Sequence, residues 1–319
     1  MKNLKRFVAA AACVVAVAGC EREAETSATD GAASVAAAHS AAAADSAAGA
    51  AGPAMWRTGD EDTTVYLFGT VHVLPPDLSW ETQALGDALD ASDAVYFETD
   101  VDPDPAELTN VVRQLGLYPP GQKLSDQLTP EQVATLKEAC ASLGLSLPVV
   151  DSMRPWLAAT TLSERIIVDA GYNPESGVER TLSPMATSGG KEIRKFETVE
   201  QQLRVFADMP EQTQIDYLME GLAEMDDEPE LLGELVAAWA KGDVDELAEI
   251  MIREELANTP EIYEALLVKR NRAWADALDD LVKHEAGTFF VAVGAAHLAG
   301  EDSVVSMLAD MGYEAARVQ

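Results

Sequence analysis

Two histidines of this 319-residue chain follow a glycine at the same interval, in Gly69-Thr70-Val71-His72 and Gly294-Ala295-Ala296-His297. Each unit stands directly after an apolar run. A third run, Asp93 to Phe97, ends in Glu98-Thr99-Asp100. Two imidazoles and a carboxylate are the donor set of a divalent transition metal, with Mn, Co and Zn the leading choices. A metal on His72, His297 and Glu98 would acidify bound water or polarise a carbonyl. The glycine three residues earlier lets the backbone turn sharply or approach a ligand closely. A lone Gly-x-x-His equally fits a histidine that only caps a strand end. Two copies in matching contexts point to one shared site.

Arg270 adds to this set. The helix after Thr259-Pro260 has an apolar face at Leu267, Trp274, Leu278 and Leu281, and Arg270 falls on it. A buried guanidinium needs a carboxylate or an anionic ligand. Arg270 therefore pairs with Glu98 or Glu197, binds a substrate oxyanion, or snorkels from the helix edge. Asn271 lies beside it, off the main stripe. Glu197, which follows the run Glu192 to Phe196, shares with Glu98 the alternative of anchoring a loop or an arginine. Asp100 and His284 read as solvated. The chain lacks Gly-x-Ser-x-Gly, His-Glu-x-x-His, a phosphate loop and a dinucleotide fingerprint.

These residues need elements that bring them together. Thr64 to Phe68 and Thr288 to Val293 read as buried strands, as does Asp93 to Phe97. Helices are expected over Trp80 to Ala91, with Ser79 as cap, and over Ser303 to Met311, with Gly312 as stop. Tyr313 to Val318 reads as a last strand. A single helix between two strands of one sheet implies a parallel crossover, and parallel strands put their C-terminal ends on one edge, where ligands of open α/β sheets gather. The expected fold is α/β: a mostly parallel central sheet flanked by helices, with a large helical middle region over residues 105 to 285. One further strand is expected at Glu192 to Phe196. Gly121 to Leu128 and Met225 to Glu230 read as loops.

Composition bounds the rest. The formal net charge is −33, which repels nucleic acid and anionic lipid surfaces. The chain opens with Lys2, Lys5 and Arg6, then the apolar run Phe7 to Gly19, then Cys20. That run is too short for a bilayer span and suits a secretory signal. Val17-Ala18-Gly19-Cys20 resembles a bacterial lipobox, so residues 1–19 are read as signal peptide and Cys20 as the lipidated N-terminus. Residues 20–54 form an Ala/Ser-rich tether that cannot bury enough surface to order itself, and His39 within it is given no role. Residues 55–319 form the globular part. Glu21 after the anchor favours the periplasmic face of the outer membrane. With Cys13 removed and Cys20 lipidated, Cys140 has no disulfide partner. It falls on the face Val133, Leu136, Cys140, Leu143 of a helix opened by the capping box Thr129-Pro130-Glu131-Gln132, so it is read as an inert core thiol.

The globular part resembles the TraB/GumN family over nearly all of its length. The resemblance is carried by Tyr66-Leu67-Phe68-Gly69-Thr70-Val71-His72, Phe97-Glu98, Arg154-Pro155-Trp156, Gly177-Val178-Glu179, Phe196-Glu197-Thr198-Val199-Glu200-Gln201-Gln202, Trp239-Ala240-Lys241-Gly242-Asp243, Arg270-Asn271-Arg272-Ala273-Trp274 and Gly294-Ala295-Ala296-His297. The family is similar to the Tiki proteins, which are metal-dependent proteases. The resemblance implies that His72 and His297 hold metal, with Glu98 as ligand or general base, and it matches Arg270 and Asn271 to the family's Arg-Asn pair. The expectation is an envelope-anchored, metal-dependent hydrolase, a peptidase acting on a peptide or small molecule, with Glu98, Arg270, Glu197 and Asn271 as catalytic groups. The alternative is a lipid-tethered binding module that captures such a ligand without turnover.

Overall fold

Apolar runs without alternation mark strands buried on both faces, and the central strands bear this out. The computed structural model describes residues 52–250 and 260–319. Among these residues one six-stranded sheet forms, from β1 (Met55–Gly59), β2 (Thr63–Thr70), β3 (Ala94–Phe97), β4 (Glu192–Lys195), β5 (Gly287–Gly294) and β6 (Ala316–Arg317), in the order β4-β3-β5-β2-β1-β6. The pairs β4/β3, β3/β5 and β5/β2 are parallel, whereas β1 runs antiparallel to both β2 and β6. The mostly parallel sheet is as expected. The antiparallel β1, at the junction with the Ala-rich segment, was not anticipated.

Side chains alternate between two cores. Phe68, Val95, Phe97, Phe290 and Ala292 face one cluster, while Val65, Leu67, Phe289, Val291 and Val293 face the other. The first cluster is covered by α1 (Gln83–Ala91), α2 (Pro105–Gly116), α3 (Pro130–Ser142), α4 (Pro155–Asp169), α5 (Val178–Ser188), α6 (Val199–Ala207), α7 (Glu211–Glu224) and α8 (Glu228–Lys241). The second is covered by α9 (Lys269–His284) and α10 (Val304–Asp310). The helical middle is thus two insertions, one between β3 and β4 and one between β4 and β5.

Several boundaries moved. Helix α1 begins at Gln83 because Thr82, not Ser79, accepts the Leu85 N–H as cap. The last strand shrinks to Ala316–Arg317. The expected loop over Met225 to Glu230 is cut short because α8 starts at Glu228 with Pro229 in its first turn. A short helical turn at Leu124–Asp126 interrupts the Gly121 to Leu128 loop. The capping box at Thr129 and Gln132 forms in both directions, and Cys140 is buried, its thiol pushed up by that burial. No described helix is long and apolar enough to cross a membrane. Cys13, Cys20, His39 and nearly all of the tether lie outside the described residues.

Candidate active site

The strand order β4-β3-β5-β2 lines up the C-terminal ends that carry Glu197, Glu98, His297 and His72. The two Gly-x-x-His units are neighbours, since β2 and β5 pair with Gly69 opposite Val293 and Thr70 opposite Gly294. The β3/β4 ladder runs on past both strands, with Glu197 N–H donating to the Glu98 carbonyl at 2.9 Å. Parallel pairing therefore sets two carboxylates and two imidazoles along one edge.

The glycines have separate reasons to be there. A Cβ on Gly294 would meet Glu98 Oε1 at 3.0 Å, and the Gly294 N–H donates to that same oxygen at 2.7 Å. A Cβ on Gly69 would stand 3.1 Å from Ala295 Cα, so Gly69 lets the second unit lie against the first. The Gly69 carbonyl accepts from Trp239 Nε1 at 2.8 Å.

Arg270 is buried and divides its guanidinium among three partners. Nη2 donates to Glu98 Oε2 at 2.6 Å, Nε donates to Glu197 Oε1 at 2.9 Å, and Nη1 lies 3.1 Å from His297 Nε2. Trp274 stacks beneath it, its ring centroid 4.7 Å from the guanidinium carbon, and also donates Nε1–H to Glu197. Of the roles left open for Arg270, the structure selects the buried ion pair, and with both glutamates. A π-helical turn at Glu264–Val268 precedes α9, and the Leu266 carbonyl within it accepts a further bond from Nη1.

His297 is fully enclosed, and its tautomer follows from its neighbours. Asn271 Nδ2 donates to the Asp302 carbonyl at 2.7 Å, which turns Asn271 Oδ1 toward His297 Nδ1, 2.5 Å away. An amide oxygen only accepts, so the ring proton sits on Nδ1 and Nε2 keeps its lone pair for Arg270. Burial holds the His297 pKa down to about 3. For Glu98, burial works upward, but Arg270, then His297 and His72, outweigh it and hold the carboxyl well below the usual range. Glu197 goes the other way: burial pushes it up by more than the charge and hydrogen bond of Arg270 pull it down, and Glu98 adds a smaller repulsion.

His72 has a partner that the sequence reading did not single out. Its Nδ1 lies 2.7 Å from Glu179 Oε1, an oxygen that also accepts from Thr70 Oγ1. The His72 loop is pinned to the start of α5: Val178 N–H donates to the Val71 carbonyl and Asn173 N–H to the Leu74 carbonyl. Gly177 permits this approach, because a Cβ there would sit 2.2 Å from the His72 carbonyl oxygen. Burial pulls the His72 pKa down, but the Glu179 charge and hydrogen bond reverse it, so the net movement is upward. Its Nε2 is buried and has no hydrogen-bond partner. His72 lines a cleft with Glu98, Thr99, Glu179, Arg180 and Gln202. Gln202 also reaches Glu98 Oε2, at 3.3 Å.

The model of the TraB/PrgY/gumN family matches residues 54–317 of this chain. The chain belongs to that family. Its relatives include the uncharacterized protein YbaP of Escherichia coli (strain K12) and that of Shigella flexneri. Each is 24% identical over 250 residues, covering 76% of this chain and 87% of the relative. No solved structure matches.

For this TraB/PrgY/gumN family member, the structure brings His297, Glu98, Arg270, Glu197 and Asn271 into one hydrogen-bonded cluster. His72 stands at the neighbouring strand end with Glu179. The orphaned, carboxylate-backed Nε2 of His72 is how a metal-binding imidazole is presented, and Glu98 lines the same cleft. His297 Nε2 is engaged by Arg270 instead. Among the described residues no three His, Cys, Asp or Glu side chains converge as ligands of one ion. Of the donors beside this cleft, His72 Nε2 is without a partner, while both Glu98 oxygens already accept, Oε1 from Gly294 and Oε2 from Arg270 and Gln202.

Proposed function

We propose that this chain is an envelope-anchored, metal-dependent hydrolase acting on peptides. The observation that carries the reading is the buried Nε2 of His72, left without a partner while Glu179 fixes the other ring nitrogen. His72 and Glu98 would hold a Mn, Co or Zn ion. When bound, such an ion acidifies water and polarises a carbonyl.

The chain's own residues supply the rest. Glu179 keeps the proton of His72 on Nδ1 and so leaves the lone pair on the unpartnered Nε2. Glu98 stays ionised across the working pH range and offers a full negative charge, which makes it a ligand or electrostatic anchor rather than a base. Arg270 fixes that carboxylate, and it would have to release one of its present partners before it could steady a developing oxyanion. Burial keeps His297 neutral and Asn271 holds its proton on Nδ1, so Nε2 remains an acceptor and could join a ligand set once Arg270 moved off it. Glu197, whose pKa burial raises, is the carboxyl of the cluster that holds a proton more readily than an ordinary glutamate. With both glutamates ionised, the Glu98–Glu197–Arg270 trio carries excess negative charge, which a cation would relieve. The lipid on Cys20 would hold the domain at the periplasmic face of the outer membrane.

A peptide library incubated with the metal-loaded chain and read by mass spectrometry tests the activity. Glu98→Gln should keep the fold and lose roughly 100-fold or more in rate. A second reading, capture without turnover, is favoured by one feature: Glu98, Arg270 and His297 already satisfy one another. Peptide retention without any cleavage product would select it.

A further inference from the structure

The cleft beside His72 contains a second buried polar atom without a partner, the hydroxyl oxygen of Thr99. It also contains a cation. Arg180 follows Glu179 on the first turn of α5, so the turn that orients His72 also sets a guanidinium in the cleft wall. Arg180 pairs with Asp102, whose side chain is 74% exposed. An ion pair that open to water contributes little, and another carboxylate can displace it. The neighbouring acids are already matched: Glu98 by Arg270, Glu179 by His72, and Asp100 by Lys195. With 22 Lys and Arg against 55 Asp and Glu in the whole chain, a guanidinium held by so exposed a partner is a selective feature of this cleft. The free space in the cleft is about 80 Å³, room for a few water-sized groups such as the two oxygens of a carboxylate.

We propose that this cleft takes the free C-terminal carboxylate of a peptide, which would make the chain a carboxypeptidase. Arg180 receives the carboxylate, its planar fork matched to two oxygens. The Thr99 hydroxyl serves the last amide, and the scissile carbonyl lies toward His72 and Glu98. This rests on the hydrolase reading above. In the reaction, water oxygen bonds to the carbonyl carbon and the C–N bond breaks. Both water protons end on the departing nitrogen, giving a free amino acid with an ammonium group and a shortened peptide with a new carboxylate.

The test is binding of an N-acetylated tripeptide to the full chain, as free acid and as C-terminal amide, by calorimetry, with cleavage followed separately. The acid should bind about tenfold or more tightly than the amide. Arg180→Gln should abolish the preference, and Asp102→Asn, which removes the competing carboxylate, should strengthen acid binding. Equal binding of acid and amide, no binding of either, or a preference that survives Arg180→Gln would overturn the proposal. Acid-selective, Arg180-dependent binding without products would keep this recognition and retire the hydrolase reading. Cleavage of amidated peptides as fast as free acids would do the reverse.

Discussion

Asn271 decides which nitrogen of His297 is available, and Glu179 does the same for His72. The two histidines of the repeated motif are thereby tuned apart: one is buried neutral among Asn271 and Arg270, the other is backed by a carboxylate. In metal-free protein, ring-nitrogen NMR should find His297 neutral with its proton on Nδ1 until the pH falls toward about 3. His72 should titrate above the ordinary imidazole value. Glu179→Gln removes the charge that lifts it, so the His72 titration should move down while His297 stays in place; an unmoved His72 would count against the pairing. Most of this cluster was legible in the sequence. His72, Glu98, Glu197 and His297 closed apolar runs, and Arg270 broke an apolar stripe. Glu179 and Gln202 were not legible as site residues, because each looks like an ordinary residue of its own helix. Glu179 stands 109 positions from the Thr70 that shares its oxygen, and only tertiary docking brings them together.

Helix α5 has to lie against the His72 loop for any of this to work, and Gly177 is the contact that allows it. Gly177→Ala would set a methyl 2.2 Å from the His72 carbonyl oxygen and against the Pro174 carbonyl. Backbone on both sides has little room to yield, so a loss of about 1–3 kcal/mol is expected, read as a lower Tm with His72 displaced. On the covering helices, α8 begins with Glu228, which is buried and accepts from the Ser163 hydroxyl of α4. Burial pushes its carboxyl up to about 8. The folded chain therefore keeps a proton that the unfolded chain releases near 4.5. Its stabilisation is complete below that value and is lost as pH rises through about 8. Glu228→Gln cannot ionise, so it should gain on wild type from pH 5 to pH 8, on the order of a few kcal/mol, in denaturant titrations. A pH-independent gap would show that Glu228 is not the titrating group. At this scale strand positions were legible from apolar runs, whereas the caps at Thr82 and the early start of α8 depended on side-chain bonds and a proline that the pattern did not weigh.

Among the described residues, helices cover both faces of the sheet, and its C-terminal edge carries His72, Glu98, Glu197 and His297. The strong negative charge suits a domain held off an anionic surface rather than spread on one. Cys20→Ser should release the protein from the membrane fraction into the soluble envelope fraction; continued sedimentation would contradict the anchor. The sheet, the helical middle and the edge site were foreseeable because period and strand ends encode them. The reversed β1 was not, since Met55–Gly59 is short and follows low-complexity sequence. We propose that His72 and Glu98 hold a catalytic cation. The most direct test is the metal content of the purified chain beside His72→Ala and Glu98→Gln, each shown to be folded. One transition metal per wild-type chain, lost in both variants, is the expected result; a folded wild type that takes up no Mn, Co or Zn on incubation would contradict it.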